Sequence, residues 1–126
     1  MNLELKKGQN FKQEFKKRCF DFSIAILKLS DELKIKKTYW SLIDQLVRAG
    51  TSIGANVVEG GNSISKREFV NYFQISLKSS SETLYWLTIF KEIEQDLTVE
   101  TERLIQECIE IKKLIATIIL NTKNKF

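Results

Sequence analysis

The clearest helix start signal in the chain is Ser65-Lys66-Arg67-Glu68-Phe69. In this pattern the Ser65 hydroxyl accepts a hydrogen bond from the amide three residues later, and the Glu68 side chain can reach back to complete a capping box. Ile64 and Phe69 have the spacing of a hydrophobic staple, in which they would pack together. Apolar residues at helical spacing then continue to about residue 94 (Phe69, Phe73, Leu77, Leu84, Leu87). We therefore predict an amphipathic helix over residues 66–94.

Three other segments show the same spacing of apolar side chains. One covers residues 11–35, with the stripe Phe11, Phe15, Cys19, Phe22, Ile26, Leu29 and Leu33. The next covers residues 39–59, where Thr38 offers an N-cap and Gly60-Gly61 a C-terminal stop. The last covers residues 99–121 and begins with acidic residues, which interact favourably with the N-terminal end of a helix dipole.

Length and composition favour a single helical domain. The chain has 126 residues, which fits one domain with one core. It contains no Pro and 5 Gly, which argues against a loop-rich β-sandwich and favours long helices. The connections between the four helices are short, so consecutive helices are expected to be antiparallel neighbours. We therefore predict an all-α fold, with residues 1–126 forming one up-down-up-down antiparallel four-helix bundle.

Composition also limits the chemistry and the location of the protein. The absence of His removes the commonest general base and the commonest metal ligand. Cys19 and Cys108 are too few for a four-ligand zinc site or a dense disulfide framework, so no metal or cofactor is expected. The N-terminus lacks the apolar core of a signal peptide, and no apolar stretch is long enough to span a bilayer. We therefore expect a cytoplasmic protein that does not engage a membrane.

Positive charge is concentrated at the start of the chain. Residues 1–37 contain ten Lys or Arg and five acidic residues, whereas the net charge of the whole chain is +4. A basic segment of this kind attracts polyanions such as RNA or DNA. The candidate nucleic-acid-binding residues are Lys12, Lys16, Lys17, Arg18, Lys34, Lys36 and Lys37. The alternative is that these side chains form a solvated face that maintains solubility.

A polar seam follows one face of the second helix. Its members, spaced by three or four positions, are Gln45, Arg48, Ser52, Asn56 and Glu59. Small residues lie beside them and would allow a close approach of the third helix, which carries Ser76, Ser79, Ser80 and Glu82. We predict an ion pair between Arg48 and Glu82 and a hydrogen-bond network that fixes the packing register.

The alternative for this seam is a catalytic pocket of Arg48, Asn56, Glu59 and Glu82, because two carboxylates and an arginine can support acid–base chemistry. The chain nevertheless lacks a His, a phosphate-binding glycine loop and the Glu-x-x-His pairs of di-iron bundles. Gly50-x-Ser52-x-Gly54 has the spacing of a hydrolase nucleophile elbow, but it lies on a predicted helix without a preceding strand. We therefore predict that the protein is not an enzyme.

Several helices carry apolar side chains beyond their main stripes. On the first helix these are Phe20, Ile24 and Leu27. Broad apolar arcs leave exposed patches, and such patches usually mark protein interfaces. We therefore expect a homo-oligomer, with the alternative that a small bundle buries these arcs by itself.

Three segments of the second and third helices resemble a known family. They are residues 45–60 (QLVRAGTSIGANVVEG), residues 65–69 (SKREF) and residues 75–82 (ISLKSSSE). The pattern is similar to that of the four-helix-bundle proteins encoded in intervening sequences of bacterial 23S rRNA genes, whose relatives include the accessory variability proteins of diversity-generating retroelements. The motif positions, which we interpret as mainly structural, are Gln45, Arg48, Ser52, Asn56, Glu59, Gly60, Glu68 and Glu82.

The resemblance implies a four-helix protomer that assembles into a barrel-shaped homopentamer. In the retroelement relatives, a basic outer surface engages nucleic acid and a reverse transcriptase. We therefore expect a non-enzymatic oligomer, encoded with or acting on a 23S rRNA intervening sequence, that binds RNA through its basic first helix. The alternatives are an adaptor for a reverse transcriptase in a diversity-generating retroelement, or a protein-binding scaffold without a nucleic-acid role.

Overall fold

Four long α-helices account for nearly all of the described chain. The computed structural model describes residues 3–124, with side chains at residue 8 and from residue 10 onward. Residues 1–2 and 125–126 of the predicted domain lie outside the described part. The helices are α1 (Leu3–Ile35), α2 (Trp40–Gly61), α3 (Lys66–Ile93) and α4 (Thr98–Asn124), with one turn of 3-10 helix at Gln95–Leu97. The described residues contain no strand, which confirms the all-α fold, and none of these helices is long and apolar enough to cross a membrane.

The start of α3 is fixed by the predicted cap. The Glu68 amide donates to Ser65 Oγ at 3.1 Å, and Ser65 has the extended backbone of an N-cap residue. The predicted hydrophobic staple is wrong, because the Ile64 side chain is 97% exposed. The Ser65 hydroxyl, and not an apolar contact, therefore marks where α3 begins.

The bounds of α1 and α2 differ from the prediction. α1 begins at Leu3 instead of residue 11, since residues 3–10 contain no Pro and include strong helix formers that extend the helix without an apolar stripe. The N-cap of α2 is Tyr39 and not Thr38, and its side chain makes no capping hydrogen bond. Gly60-Gly61 does not stop α2 early, because both residues are helical and the C-cap is Asn62.

α1 and α2 approach each other closely at two glycines. A Cβ placed on Gly54 would lie 3.3 Å from Cβ of Cys19, and one placed on Gly50 would lie 2.9 Å from Cγ1 of Ile26. Residue numbers rise along α1 as they fall along α2, so the two helices are antiparallel. Glycine is needed at the second contact because Ile26 is fully buried and has little room to move.

The remaining helices complete the bundle. Cys108 Sγ of α4 donates to the Ser80 carbonyl of α3 at 3.4 Å, and Lys91 Nζ pairs with Glu102 at 2.6 Å, so these helices are also antiparallel. Hydrogen bonds described below give the same relation between α2 and α3. α4 also packs against α1, so each helix contacts two neighbours. This contact is looser than those between the other neighbouring helices, and two open clefts lie between α1 and α4. The predicted up-down-up-down bundle is confirmed.

The core contains side chains from all four helices. Its largest fully buried members include Ile26, Leu33, Ile43, Leu46, Ile53, Leu87, Phe90, Ile111 and Ile115. The predicted stripe of α1 agrees well with this core, except that Phe11 is 45% exposed. α3 differs more, because Ser76, Ser80 and Thr83 are buried whereas Leu77 is only partly buried. Small hydroxyl side chains therefore form much of the inner face of α3.

Candidate nucleic-acid interface

The predicted basic residues fall into two groups, one within the N-terminal half of α1 and one at its C-terminal end. The first group is Lys12, Lys16, Lys17 and Arg18, and the second is Lys34, Lys36 and Lys37. With a rise of about 1.5 Å per residue, roughly 33 Å separate Lys12 from Lys34 along the helix axis. The two groups are therefore distinct surfaces and not one continuous patch.

Arg18 is held in an ion pair between α1 and α4. Its Nε donates to Glu107 Oε2 at 2.7 Å and its Nη2 donates to Glu107 Oε1 at 2.6 Å. Nη2 also donates to Glu110. The hydrogen bond to Glu107 is the largest cause of a rise in the Arg18 pKa, and it outweighs the opposing effect of burial. This pairing gives Arg18 a bridging role and leaves it less available to a phosphate.

The second group surrounds the turn between α1 and α2. Lys36 pairs with Asp96, and this hydrogen bond holds the pKa of Asp96 below its usual value. Lys34 Nζ lies 6.0 Å from the centre of the Trp40 ring, at the outer limit of a cation–π contact. Lys37 has a φ of 56°, the left-handed conformation, at the point where the chain reverses. Lys36 is therefore engaged within the protein, whereas Lys34 and Lys37 have no acidic partner among the described side chains.

Lys12 and Lys16 are the two members of the first group without an acidic partner among the described side chains. Lys17, beside them, pairs with Asp21 at 2.9 Å along the exposed face of α1. The Lys16 side chain lies over the end of α2, where its Cε would be 3.4 Å from a Cβ placed on Gly61. Lys12 and Lys16 are both exposed and lie one helical turn apart. Their ammonium groups are the strongest phosphate-binding candidates in the predicted set.

The middle of the polar seam forms hydrogen bonds between α2 and α3. Asn56 Nδ2 donates to the Ser52 carbonyl at 2.8 Å and to Ser52 Oγ at 2.9 Å. Ser79 Oγ donates to Ser52 Oγ at 3.0 Å, and the buried Ser76 Oγ donates to the Ile53 carbonyl at 2.8 Å. Residue numbers rise on α3 as they fall on α2, so the helices are antiparallel. These bonds join α2 to α3 in one register.

The charged members of the seam face solvent. Arg48 Nε donates to Asp44 Oδ2 at 3.0 Å, and this local pair replaces the ion pair predicted with Glu82. Gln45, Arg48, Glu59 and Glu82 are all exposed. None of them lines the clefts between α1 and α4 or the cavity at the end of the bundle. The structure therefore does not bring Arg48, Glu59 and Glu82 together around one of these cavities.

The remaining two motif positions, Gly60 and Glu68, lie on either side of the turn from α2 to α3. A Cβ on Gly60 would lie 2.8 Å from two ring atoms of Phe73 and 3.1 Å from Cβ of Tyr72. Glu68 lies in the first turn of α3, where a negative charge interacts favourably with the helix dipole. Gly60 therefore lets α3 approach, and Glu68 supports the start of that helix.

Two residues at this end of the bundle were missed as members of the candidate interface. The apolar spacing predicts Phe11 in the buried stripe, yet its half-exposed ring lines a cavity together with Lys12. Lys66, in the first turn of α3, lines the same cavity although it is distant from α1 in sequence. The only sequence signal that could have placed Lys66 here is the Ser65 cap, which sets the first turn of α3 against the end of α2.

The described side chains offer little other chemistry. They contain no group of three or more His, Cys, Asp or Glu that could hold a metal ion. Cys19 and Cys108 are free and buried, and burial raises the pKa of each thiol to about 12. A thiol with so high a pKa stays protonated and is a poor nucleophile.

The fold and the seam define a class of protein, an antiparallel four-helix bundle whose α2 and α3 are joined by hydrogen bonds. The sequence profile of the 23S rRNA-intervening sequence protein family matches residues 12–117, and the chain therefore belongs to this family. Its structure is similar to that of a protein with unknown function from the S23 ribosomal protein family of Bacteroides thetaiotaomicron. The two are 32% identical, with a TM-score of 0.79 over 83% of this chain and 97% of the other. No curated protein matches the chain.

Proposed function

We propose that this protein binds RNA through Lys12 and Lys16, as a non-enzymatic protein associated with a 23S rRNA intervening sequence. The observation that carries this proposal is that these two exposed lysines lie one helical turn apart and line one cavity without an acidic partner among the described side chains, whereas Lys17, Arg18 and Lys36 are paired. A cation that is already paired must give up that partner before it can bind a phosphate. Lys12 and Lys16 can bind a phosphate without breaking an ion pair. Membership of the family supports an rRNA insertion as the source of the RNA.

The proposed binding is driven by phosphate contacts and is therefore sensitive to salt. Each phosphate of a single strand that a protein neutralises contributes about 0.7 to the slope of log affinity against log salt concentration. Replacing Lys12 and Lys16 with Gln removes two positive charges. The magnitude of the slope should then fall by about 1.4 if each lysine neutralises one phosphate.

The test compares two double variants that have the same net charge. One is Lys12→Gln/Lys16→Gln, and the control is Lys78→Gln/Lys113→Gln, which neutralises exposed lysines on α3 and α4. Fluorescence anisotropy of a labelled single-stranded RNA is measured with each protein over a range of salt concentrations. The first variant should lose affinity and salt dependence, while the control keeps both. Equal losses in the two variants would mean that net charge, and not this site, attracts RNA.

α1 also supports a proposal of self-association. Phe20, Ile24 and Leu27 are exposed and spaced by four and three residues, so they form an apolar stripe on one face of the helix. Such a stripe usually marks a protein interface. A second copy of this chain is the occupant that we propose, with the homopentamer as the assembly. An assembly would also present one copy of the Lys12 and Lys16 site per protomer and so strengthen RNA binding through multivalency.

Light scattering coupled to gel filtration tests this assembly. The wild-type protein should have five times the protomer mass of 14.7 kDa. Phe20→Glu/Ile24→Glu places two charges on the stripe and should reduce the mass to that of the protomer, while circular dichroism still reports a folded helical protein. A wild-type protein with the protomer mass, or a variant with the full pentamer mass, would contradict the proposal.

A further inference from the structure

A cavity of about 550 Å³ opens at the end of the bundle, between the first part of α1 and the turn from α2 to α3. Its volume lies within the range of roughly 300–1,000 Å³ that is usual for ligand sites. Its apolar lining consists mainly of Phe11, Phe15, Val57, Phe69, Phe73 and Ile118. Lys12 and Lys16 also line it, and none of its described lining residues is Asp or Glu. The cavity therefore complements a flat, weakly polar group that carries negative charge at one side.

Two pairs of phenylalanines form the aromatic part of the lining. The Phe69 and Phe73 rings stack with centroids 4.2 Å apart and an interplanar angle of 21°. The Phe11 and Phe15 rings are nearly parallel, at 2°, with centroids 6.2 Å apart. Phe15 and Phe73 are buried, whereas Phe11 and Phe69 keep exposed surface. Each pair therefore anchors one ring in the core and leaves the other accessible at the cavity.

We propose that this cavity takes one unpaired nucleobase of a single-stranded RNA, stacked on Phe11, while Lys12 and Lys16 bind the neighbouring phosphates. The inference rests on the proposed function, because the same two lysines supply the phosphate contacts. It adds that the RNA is single-stranded where it meets the protein. A base within a duplex is paired and stacked on both faces, so it cannot enter the cavity without leaving the helix.

The chemistry of stacking also determines the specificity of the site. Every base has a π-face, so stacking on an aromatic side chain is largely independent of sequence. Phe11, Lys12 and Lys16 all line this cavity, so the ring and the two ammonium groups can contact one nucleotide and its phosphates. The site is therefore expected to prefer single strands over duplexes, with little preference among bases.

The experiment measures the affinity of the full chain for a labelled single-stranded RNA and for the same strand annealed to its complement. Phe11→Ala should weaken single-strand binding by about five-fold to 150-fold, the range found for removal of a stacking side chain. Its duplex affinity and its salt slope should not change, because no charge is removed. The control is Tyr39→Ala, which removes an exposed ring beside the second basic group and should leave both affinities unchanged.

Two further substitutions separate stacking from general apolar contact. Phe11→Trp keeps a flat ring and should retain single-strand binding. Phe11→Leu keeps an apolar side chain without a ring and should be as weak as Phe11→Ala. Full binding by Phe11→Leu would overturn the proposal, because it would mean that an apolar contact without stacking is sufficient. Circular dichroism of each variant establishes that the fold is retained, as expected for a side chain that is 45% exposed.

Failure of this inference can be distinguished from failure of the proposed function. If single-strand binding depends on Lys12 and Lys16 but Phe11→Ala leaves it unchanged, the phosphate site stands and the base site is refuted. If the wild-type protein binds neither single strands nor duplexes, both proposals are refuted together. Equal affinity of the wild-type protein for single strands and duplexes also refutes the base site.

Discussion

Gly60→Ala is expected to destabilise the bundle even though alanine is the better helix former. Within a helix, replacing Gly by Ala normally stabilises a protein by about 0.5–1 kcal/mol, because glycine loses more backbone freedom on folding. At Gly60, however, the new Cβ would lie 2.8 Å from two atoms of the Phe73 ring. Overpacking of a core in this way costs about 1–3 kcal/mol. The Phe73 ring is 4% exposed and stacked on Phe69, so it cannot move aside freely, and we expect a net loss of about 1–2 kcal/mol.

Gly61→Ala is the matched control, one residue further along α2. A Cβ at Gly61 would meet only the end of the Lys16 side chain, with Cε at 3.4 Å, an ordinary contact with a flexible group. This variant should be neutral or slightly more stable than the wild type. The two variants should therefore differ by about 2 kcal/mol in free energy of unfolding, or roughly 8 °C in Tm.

Urea denaturation followed by circular dichroism measures this difference. Phe73→Leu in the Gly60→Ala background removes the ring that the new Cβ strikes and should recover part of the lost stability, which a double-mutant cycle would show as a coupling energy. If the Gly60→Ala variant were as stable as the Gly61→Ala variant, the reasoning would be refuted, because α3 would then not need the space that Gly60 leaves. Additive effects of Gly60→Ala and Phe73→Leu would refute it as well.

Two further predictions concern the contact between α1 and α4. Arg18→Gln removes the ion pair in which two Arg18 nitrogens bind Glu107, and both side chains are about one-third exposed. Thermal unfolding should therefore show that the free energy of unfolding falls by only about 1 kcal/mol, because solvent screens the pair. A loss of RNA affinity at unchanged stability would instead assign Arg18 to the interface. A hydrogen bond to Glu100 raises the pKa of Glu32, so this pair contributes stability at low pH that is lost as the pH rises through the folded-state pKa. Glu32→Gln should therefore raise Tm at about pH 7 and lose that advantage near pH 4, and an equal shift at both pH values would contradict this account.

The helices could be predicted from the sequence because apolar spacing is a local property. The inner face of α3 could be predicted only in part, because the predicted seam includes Ser76, Ser79 and Ser80 but not the buried Thr83. Thr83 Oγ1 donates to the Ser79 carbonyl at 2.7 Å, and Ser80 Oγ donates to the Leu77 carbonyl at 2.6 Å. A hydroxyl that bonds to its own helix can be buried at little cost. A pattern based on hydrophobicity assigns such residues to the outer face, so it overestimates the role of Leu77 in the core.

The basic site could be located only in part, because charge counting ignores partners that are distant in sequence. Arg18 and Glu107 are 89 positions apart, and no spacing rule connects them. The predicted pair of Arg48 with Glu82 is wrong for the opposite reason. Asp44 lies one turn before Arg48 on the same helix and reaches it without any constraint from α3. The sequence therefore gives the number of cations on α1 but not which of them remain without an acidic partner.

The turn from α2 to α3 links the structural motif to the candidate interface. The absence of a side chain at Gly60 lets Phe73 pack against α2, and Phe73 in turn holds the ring of Phe69 at the cavity. The Ser65 cap sets the start of α3 and hence the position of Phe69 one turn later. Lys16 lies across the end of the same turn. Residues that fix helix packing therefore also determine the distance between the aromatic rings and the ammonium groups. A change at Gly60 should consequently weaken both the stability of the bundle and its preference for single-stranded RNA.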